Sequence, residues 1–355
     1  MLARPWTVIV KALRLTSWGH PPVPEDVARP VPRGAEVLVR VEATGLCHSD
    51  LHVAESAPGA LPYRLPFTLG HEVAGHVAAL GPDAEGAAAG ERVVVYAPLG
   101  CGDCGRCVAG AANYCDRRAS LSWHGVGLGR DGGMAEYVLL PSAHHLVPIG
   151  DVPADQAAPL SDAGLTSYHA VAGLRPALGE GGTALVIGVG GLGHLAVQIL
   201  RATTSSRVLA VDVREEALAL AHRCGAEFAT LAGADTARVL RARTGGAGVD
   251  AVLDFAGTGD SLELAADVLR PGGELALVGS GGGRLTVAKP GVLPPGFRLS
   301  LPFWGTRHEL AAVVELARSG ALHAETERFP LSAAPEAFRR LRQGLVRGRA
   351  VLVPD

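Results

Sequence analysis

Lysine is nearly missing from this chain of 355 residues: only Lys11 and Lys289 occur, so arginine carries almost all the positive charge. We read that bias as genome composition, without functional content. Acidic and basic residues nearly cancel, at 35 against 32, leaving a formal net charge of −3 and no basic tract. Such a balance argues against nucleic acid or an anionic membrane as the main partner. No apolar run reaches the roughly 18 residues that a membrane helix needs. Met1 to Val10 holds one arginine and a short apolar stretch with no small-residue cleavage site behind it. No secretory signal is therefore expected, and the expected location is the cytoplasm. Internal repeats and low-complexity tracts are also missing.

The chain is long enough for two domains at roughly 150 residues each. Its 48% hydrophobic and 19% charged content supplies sizeable cores and excludes wholesale disorder. Residues 34 to 95 read as β-rich, with Glu36 to Val41 alternating and Arg92 to Tyr96 a β-branched run. Glycine and proline punctuate the sequence through residue 150, as in a domain of short strands and loops. Near Ala163 the character changes. Thr183 to Ile187 is an apolar strand and Leu192 to Ala202 has helical period; Arg207 to Asp212 is a second strand. Glu215 to Cys224 follows as a helix closed by Gly225. Further strands at Ala251 to Phe255 and Leu275 to Val278 continue the alternation, which specifies a parallel sheet covered on both faces. Helices near Glu309 to Ser319 and Ala334 to Gln343, then a strand Ala350 to Val353, complete the chain.

Gly188, Gly190 and Gly193 spell G-x-G-x-x-G between the first of these strands and its helix, with Gly191 and Leu192 inside the turn. The first glycine permits the tight turn, the second admits a pyrophosphate to the backbone, and the third lets helix and strand pack closely. A bare glycine motif is weak evidence, but here the strand–turn–helix context is right. Asp212 ends the next strand 19 residues after Gly193, where a carboxylate accepts hydrogen bonds from an adenosine ribose. A carboxylate there repels a 2′-phosphate and favours NAD over NADP. Arg214, two residues on, is either a solvated arginine or a group that softens that preference.

There are six cysteines: Cys47, Cys101, Cys104, Cys107, Cys115 and Cys224. Four of them fall within fifteen residues as C-x2-C-x2-C-x7-C, from Cys101 to Cys115. In a long chain with no secretory signal, such spacing points to metal before disulfide. Four thiolates this close suit a tetrahedral zinc that staples a loop. The first three also match an iron–sulfur spacing, but the fourth does not, and Asp116 rather than proline follows it. Cys224, on a helix, reads as a packed small hydrophobe.

A second, dispersed set comprises Gly45-Leu-Cys47-His48-Ser49-Asp50-Leu-His52, Gly70-His71-Glu72 and Pro159-Leu-Ser-Asp162. Each residue alone has an ordinary structural explanation. Together, the segments G-L-C-H-S-D, L-P-F-T-L-G-H-E, P-L-S-D-A-G-L-T-S-Y-H-A, V-I-G-V-G-G-L-G-H and W-G-T-R-H-E-L resemble the zinc-dependent medium-chain alcohol dehydrogenases. Within that family the likeness is to the actinobacterial secondary alcohol dehydrogenases of the Rhodococcus ruber type. It covers nearly the whole chain from about Val10. The nine residues before it prompt the expectation that translation of the native gene begins at Val10.

The resemblance implies an α/β fold in which a Rossmann doubly wound parallel sheet is inserted into a β-rich GroES-like catalytic domain. Residues 1–161, carrying a structural-zinc loop at 100–116, form the catalytic domain; 162–304 bind the dinucleotide; 305–355 return to the catalytic domain. It implies two Zn2+ per chain and NAD. Cys47, His71 and Asp162 are the implied ligands of the catalytic zinc, whose fourth position is left to water or substrate. Many relatives have cysteine where Asp162 stands. Glu72 resembles the family's near-zinc glutamate, and Asp50 the carboxylate that orients the ligand histidine. Ser49 and His52 resemble a proton relay toward solvent, although the Rhodococcus ruber type carries an aromatic in place of His52. His48 and Arg349 resemble residues that meet the cofactor pyrophosphate, while Thr166 and the Val278–Gly279 backbone resemble the nicotinamide platform.

Tyr63, Trp123 and Trp304 are candidate walls of a substrate pocket, or else core aromatics with no further role. The implied reaction is reversible hydride transfer between a small or medium, secondary alcohol and NAD+, giving ketone or aldehyde and NADH. The implied assembly is a homodimer or homotetramer. Three other readings compete. A zinc-free quinone or enone reductase would lack the Cys47/His71/Asp162 set, which is present. A dehydrogenase of polyols or other specialised alcohols would keep it. A non-catalytic binding protein would have no use for Ser49 or a three-ligand zinc.

Overall fold

The computed structural model describes residues 8–355, and contacts within it divide the chain into two compact units. One runs up to Asp162 and adds Thr306–Arg318 and Thr326–Asp355; the other comprises Ala163–Gly305 and Ser319–Glu325. The short stretch Ser319–Glu325 departs from the expected uninterrupted return over 305–355. Of the nine residues ahead of the resemblance, Met1 to Thr7 lie outside the described residues. Ile9 already opens a strand, Ile9–Leu15, paired antiparallel with Val23–Ala28. Among the described residues no helix is long and apolar enough to cross a membrane.

In the first unit, Val37–Leu46 lies inside a seven-stranded sheet and is buried along nearly its whole length. Its valines and leucines suit a pleated surface covered on both faces. It pairs antiparallel with Glu72–Leu80 on one side and Arg349–Val353 on the other. The register places Gly45 opposite both Glu72 and Val351, and Leu46 opposite Ala350. The ends of three distant segments therefore meet just where Cys47 follows the strand. A register shift between Val41 and Ala43 sits beside Gly75, where a Cβ would come within 2.0 Å of the Arg40 carbonyl. Only glycine lets the bulged strand close up there.

The second unit is a six-stranded parallel sheet in the spatial order Phe228–Leu231, Arg207–Asp212, Thr183–Ile187, Val249–Asp254, Leu269–Leu277, Arg298–Ser300. Numbered along the chain within this unit, that order is 3-2-1-4-5-6, the doubly wound arrangement of dinucleotide-binding sheets. Order reverses between Thr183–Ile187 and Val249–Asp254, so the ligand crevice of such a sheet opens at their carboxyl ends. All five residues of Thr183–Ile187 are buried, as expected of a central parallel strand. Helix Glu215–Arg223 starts on two glutamates and ends on His222 and Arg223, matching the helix dipole; Gly225, at φ 100°, turns the chain away.

Candidate metal centres and dinucleotide turn

Cys47 is the residue before helix His48–Glu55, and its N–H donates to the Asp50 carboxylate at 2.9 Å. Asp50 is fully buried; its other oxygen accepts from Gly70 N–H at 3.3 Å and lies 3.4 Å from His71 Nδ1. One carboxylate thus accepts from the backbone of one ligand and lies beside the ring of another. Asp162 is brought in by Ser161, whose buried hydroxyl donates to the carbonyls of Val95, at 2.5 Å, and His71, at 3.3 Å. Ser161 was not singled out in the sequence, and only its place between Leu160 and Asp162 marked it.

Cys47 Sγ lies 3.6 Å from Asp162 Oδ2, and His71 Nε2 lies 3.5 Å from the same oxygen. The edge of a tetrahedron is about 1.6 times its centre-to-vertex distance, so zinc bonds of about 2.0–2.3 Å need donors about 3.3–3.8 Å apart. Both distances from Asp162 fit that requirement, and all three donor atoms lie within 4.8 Å of one another. Their electrostatics fit a cation as well: Cys47, Asp50, Glu72 and Asp162 are buried together, with the Arg349 guanidinium among them. Burial opposes protonation of His71, but Asp50, Asp162 and Cys47 outweigh it and raise its pKa well above the usual range.

Arg349 is held at Glu72. Its guanidinium is buried, with Nε and Nη2 donating to Glu72 at 2.9 and 2.6 Å and Nη2 3.5 Å from Asp162. The fork that the resemblance assigns to a pyrophosphate is held here at a carboxylate, because the register sets Ala350 opposite Leu46 and so delivers Arg349 beside Cys47 and Glu72. Burial raises the Glu72 pKa, against the opposing pull of Arg349. Gly45 is what allows this packing, since a Cβ there would lie 1.7 Å from Glu72 Oε2. Ser49 is part-buried, 3.6 Å from Cys47 Sγ, whereas His48 and His52 are exposed. Ser49 and His52, three residues apart on one helix, share a face.

The four clustered cysteines form the second donor set. Cys101 and Cys107 sulfurs are 4.0 Å apart, as are those of Cys104 and Cys115. These distances are near the edge of a tetrahedral zinc–thiolate site, about 3.8 Å, and far from the roughly 2.05 Å of a disulfide. Backbone N–H groups of Cys101 and Cys107 point at the sulfurs of Cys115 and Cys104. Gly100 makes room, because a Cβ there would fall 2.3 Å from Cys107 Sγ. Among the described residues these two sets are the only groups arranged to hold a metal ion.

In the second unit, Gly188 has φ 86°, and a Cβ on Gly193 would meet the Gly188 carbonyl at 1.9 Å. At Gly190 a Cβ would face nearly open space, so this glycine gives a ligand access to the backbone. Asp212 accepts from Val189 N–H at 2.7 Å, in the turn between Gly188 and Gly190. Its other oxygen accepts from Arg214 N–H at 3.0 Å and lies 3.3 Å from Arg214 Nε. Arg214 is therefore held against Asp212 rather than simply solvated. Thr166 is buried on helix Ala163–Leu178.

Val278 and Gly279 both donate their N–H groups to the Asp254 carbonyl at 2.9 Å. Both amides of the platform expected there are therefore engaged within the unit. Asp254 is itself fully buried, accepting from Ala256 N–H, Gly257 N–H and the Ser261 hydroxyl. This hub at the crevice went unnoticed in the sequence, where a strand-terminal aspartate before A-G-T-G was its signal.

Of the three aromatic candidates, Tyr63 and Trp123 belong to the first unit and Trp304 to the second. Tyr63 is buried edge-on against His124, and Trp123 lies under Arg130 at 4.2 Å. Trp304 is buried at φ 49°, a left-handed conformation rare for a bulky side chain. Cys224 is part-buried, and burial raises its thiol pKa to about 11, as suits a packed residue.

Comparison with known proteins agrees with this chemistry. Residues 33–151 match the alcohol dehydrogenase GroES-like domain, and residues 191–319 match the zinc-binding dehydrogenase domain. An NAD-dependent alcohol dehydrogenase of Sulfurisphaera tokodaii is 35% identical over 97% of this chain and 100% of its own. A D-arabinose 1-dehydrogenase (NADP(+)) of Saccharolobus solfataricus is 31% identical over 97% of both. The alcohol dehydrogenase of Aeropyrum pernix superposes with a TM-score of 0.89 at 34% identity, over 97% of this chain and 100% of its own. The chain belongs to the zinc-dependent medium-chain alcohol dehydrogenase family, with a GroES-like domain and a Rossmann domain. The four-cysteine cluster is its structural zinc site, and Cys47, His71 and Asp162 form its catalytic zinc site.

Proposed function

We propose that this protein catalyses reversible hydride transfer between a small or medium secondary alcohol and NAD+, giving the ketone and NADH. The observation that carries the proposal is the donor set of Cys47, His71 and Asp162, spaced for tetrahedral zinc with only three protein ligands. A structural zinc takes four, as the cysteine cluster does, whereas three leave a position for substrate. When bound, zinc supplies a Lewis acid that acidifies the alcohol hydroxyl, and NAD supplies the hydride acceptor.

The chain's own residues do the rest. Asp50 holds the His71 ring and the Cys47 backbone, so the donors are aligned before metal arrives. Ser49, against Cys47, takes the alcohol proton, and exposed His52 on the same helix face hands it to solvent. His48 completes the cofactor contacts of the first unit. In the second unit the backbone of Gly188, Gly190, Gly191, Leu192 and Gly193 receives the pyrophosphate, Asp212 the adenosine ribose, and Thr166 with Val278 the nicotinamide. Support for NAD comes from Asp212 and from the NAD-dependent relatives. Tyr63 and Trp123 are the substrate walls in the first unit.

The D-arabinose dehydrogenase relative keeps one second reading in view, a sugar or polyol substrate. The test is a spectrophotometric panel at 340 nm of primary and secondary alcohols, polyols and D-arabinose, each with NAD and NADP. Turnover of secondary alcohols with NAD is the expected result. No absorbance change with any substrate and either cofactor would refute the proposal, and turnover of D-arabinose alone would move it to the second reading.

A further inference from the structure

Within the first unit, a glycine-rich loop after the structural-zinc cysteines carries Trp123, His124, Gly125, Gly127, Gly129, Gly132 and Gly133. It packs on the backbone that presents the ligand histidine. Gly132 N–H donates to Thr68, Gly133 N–H to Gly70 and Met134 N–H to Leu69. A Cβ on Gly127 would come within 2.8 Å of His71 N, and one on Gly129 within 2.8 Å of Tyr63 Cδ1. The same loop therefore touches the metal ligand and the Tyr63 ring with no space to spare.

His124 adds a specific tie. Its Nδ1 lies 2.8 Å from the Tyr63 hydroxyl, and the rings meet edge to face at 5.3 Å. Its own backbone is held at both groups, its N–H donating to Leu128 and its carbonyl accepting from Leu99. Phe67 also meets Tyr63 edge-on, at 5.9 Å. Burial lifts the Tyr63 phenol to about 12 and, with Arg118 nearby, pushes His124 down to about 4. Both are thus neutral near pH 7, where the phenol donates and Nδ1 accepts, leaving the ring proton on Nε2.

We propose that His124 is a positioning residue that sets alcohol size selectivity by holding Tyr63 in one orientation beside the His71 segment. It rests on Tyr63 being a substrate wall, as proposed above. A tyrosine pinned by its hydroxyl is a rigid wall that excludes bulky substituents. With the hydroxyl released, the ring can swing and admit them.

The test compares kcat/KM for 1-phenylethanol and propan-2-ol in wild type, His124→Leu, His124→Asn, Tyr63→Phe and the Leu/Phe double variant, with zinc content and melting followed throughout. Losing one buried hydrogen bond predicts a rise of about fivefold in the bulky-to-small ratio for His124→Leu and for Tyr63→Phe, seen mainly in KM. The double variant should change no more than either single one, because both remove the same bond. His124→Asn, whose Oδ1 replaces Nδ1 as acceptor, should keep the ratio within about twofold of wild type.

A ratio unchanged in a folded, zinc-replete His124→Leu, or additive effects in the double variant, overturns the proposal. If His124→Leu does not fold, an unchanged ratio in Tyr63→Phe overturns it alone. Wild type that turns over neither alcohol overturns the proposed function and this inference together, an outcome distinct from active wild type with unresponsive variants.

Discussion

Replacing Arg349 by methionine should cost about 4 kcal/mol of stability. Glu72 is fully buried, and the Arg349 guanidinium supplies two hydrogen bonds to its carboxylate, at 2.9 and 2.6 Å. Two unit charges about 4 Å apart attract by about 4 kcal/mol at an effective dielectric of about 20. Removing one partner of a buried pair costs about 3–5 kcal/mol in measured cases, because the other charge is left uncompensated. The two estimates agree. Here Asp162 lies in the same cavity, so the stranded carboxylate also has a second carboxylate beside it.

At about 2 °C per kcal/mol for a large domain, the melting temperature should drop by about 8 °C in zinc-replete buffer. Glu72→Gln in the same background should recover most of that loss, since the orphaned charge disappears with it. Melts of the two single variants and the double variant, followed by circular dichroism, give the coupling directly. A drop of under about 2 °C in Arg349→Met, or no recovery in the double variant, would refute the electrostatic account.

Three further predictions concern separate parts of the molecule. Asp162→Ala should leave one zinc per chain, that of the cysteine cluster, and cut activity by about a thousandfold or more; elemental analysis with steady-state kinetics checks both. Two zincs with lost activity would place the ligand elsewhere. Asp212→Ser removes the acceptor of Val189 and Arg214 N–H and frees the Arg214 side chain. NADH affinity should fall about tenfold while NADPH gains, read by fluorescence titration; an unchanged preference contradicts it. Burial pushes His145, stacked on Tyr96, down to about 4. The folded state then binds fewer protons than the unfolded state between that value and the ordinary 6.5, so stability falls as pH drops through this window, by about 3 kcal/mol in all. Acid melts of His145→Phe should lose that portion of the pH dependence, and a curve parallel to wild type would count against it.

Sequence and structure agree most closely where the signal is local. Thr183 to Ile187 and Arg207 to Asp212 end where they were expected to end, because a buried parallel strand is an uninterrupted apolar run bounded by glycine or charge. Val37–Leu46 was read only as far as Val41, where the alternation stops ahead of Glu42, Thr44 and Gly45. They continue it because Gly45 must pass under Glu72, a contact from 27 residues away that no local pattern announces. Ser161 and Asp254 were passed over for the same reason: a buried hydroxyl or carboxylate is identified by its partners, and those partners are distant in the chain.

By itself the sequence determined the doubly wound sheet, the glycine turn with Asp212, and the four-cysteine cluster. In each of these the chemistry lies within a short span, or at a fixed step along alternating strand and helix. The metal site of Cys47, His71 and Asp162 was joined in the sequence only by family resemblance, and tertiary structure alone placed the Cys47 and His71 donors 3.5–3.6 Å from Asp162. Tertiary structure also decided what Arg349 does. Antiparallel register carries it across 277 positions to Glu72. A charged side chain takes the nearest opposite charge the fold gives it, and that choice is not written in either residue's neighbours.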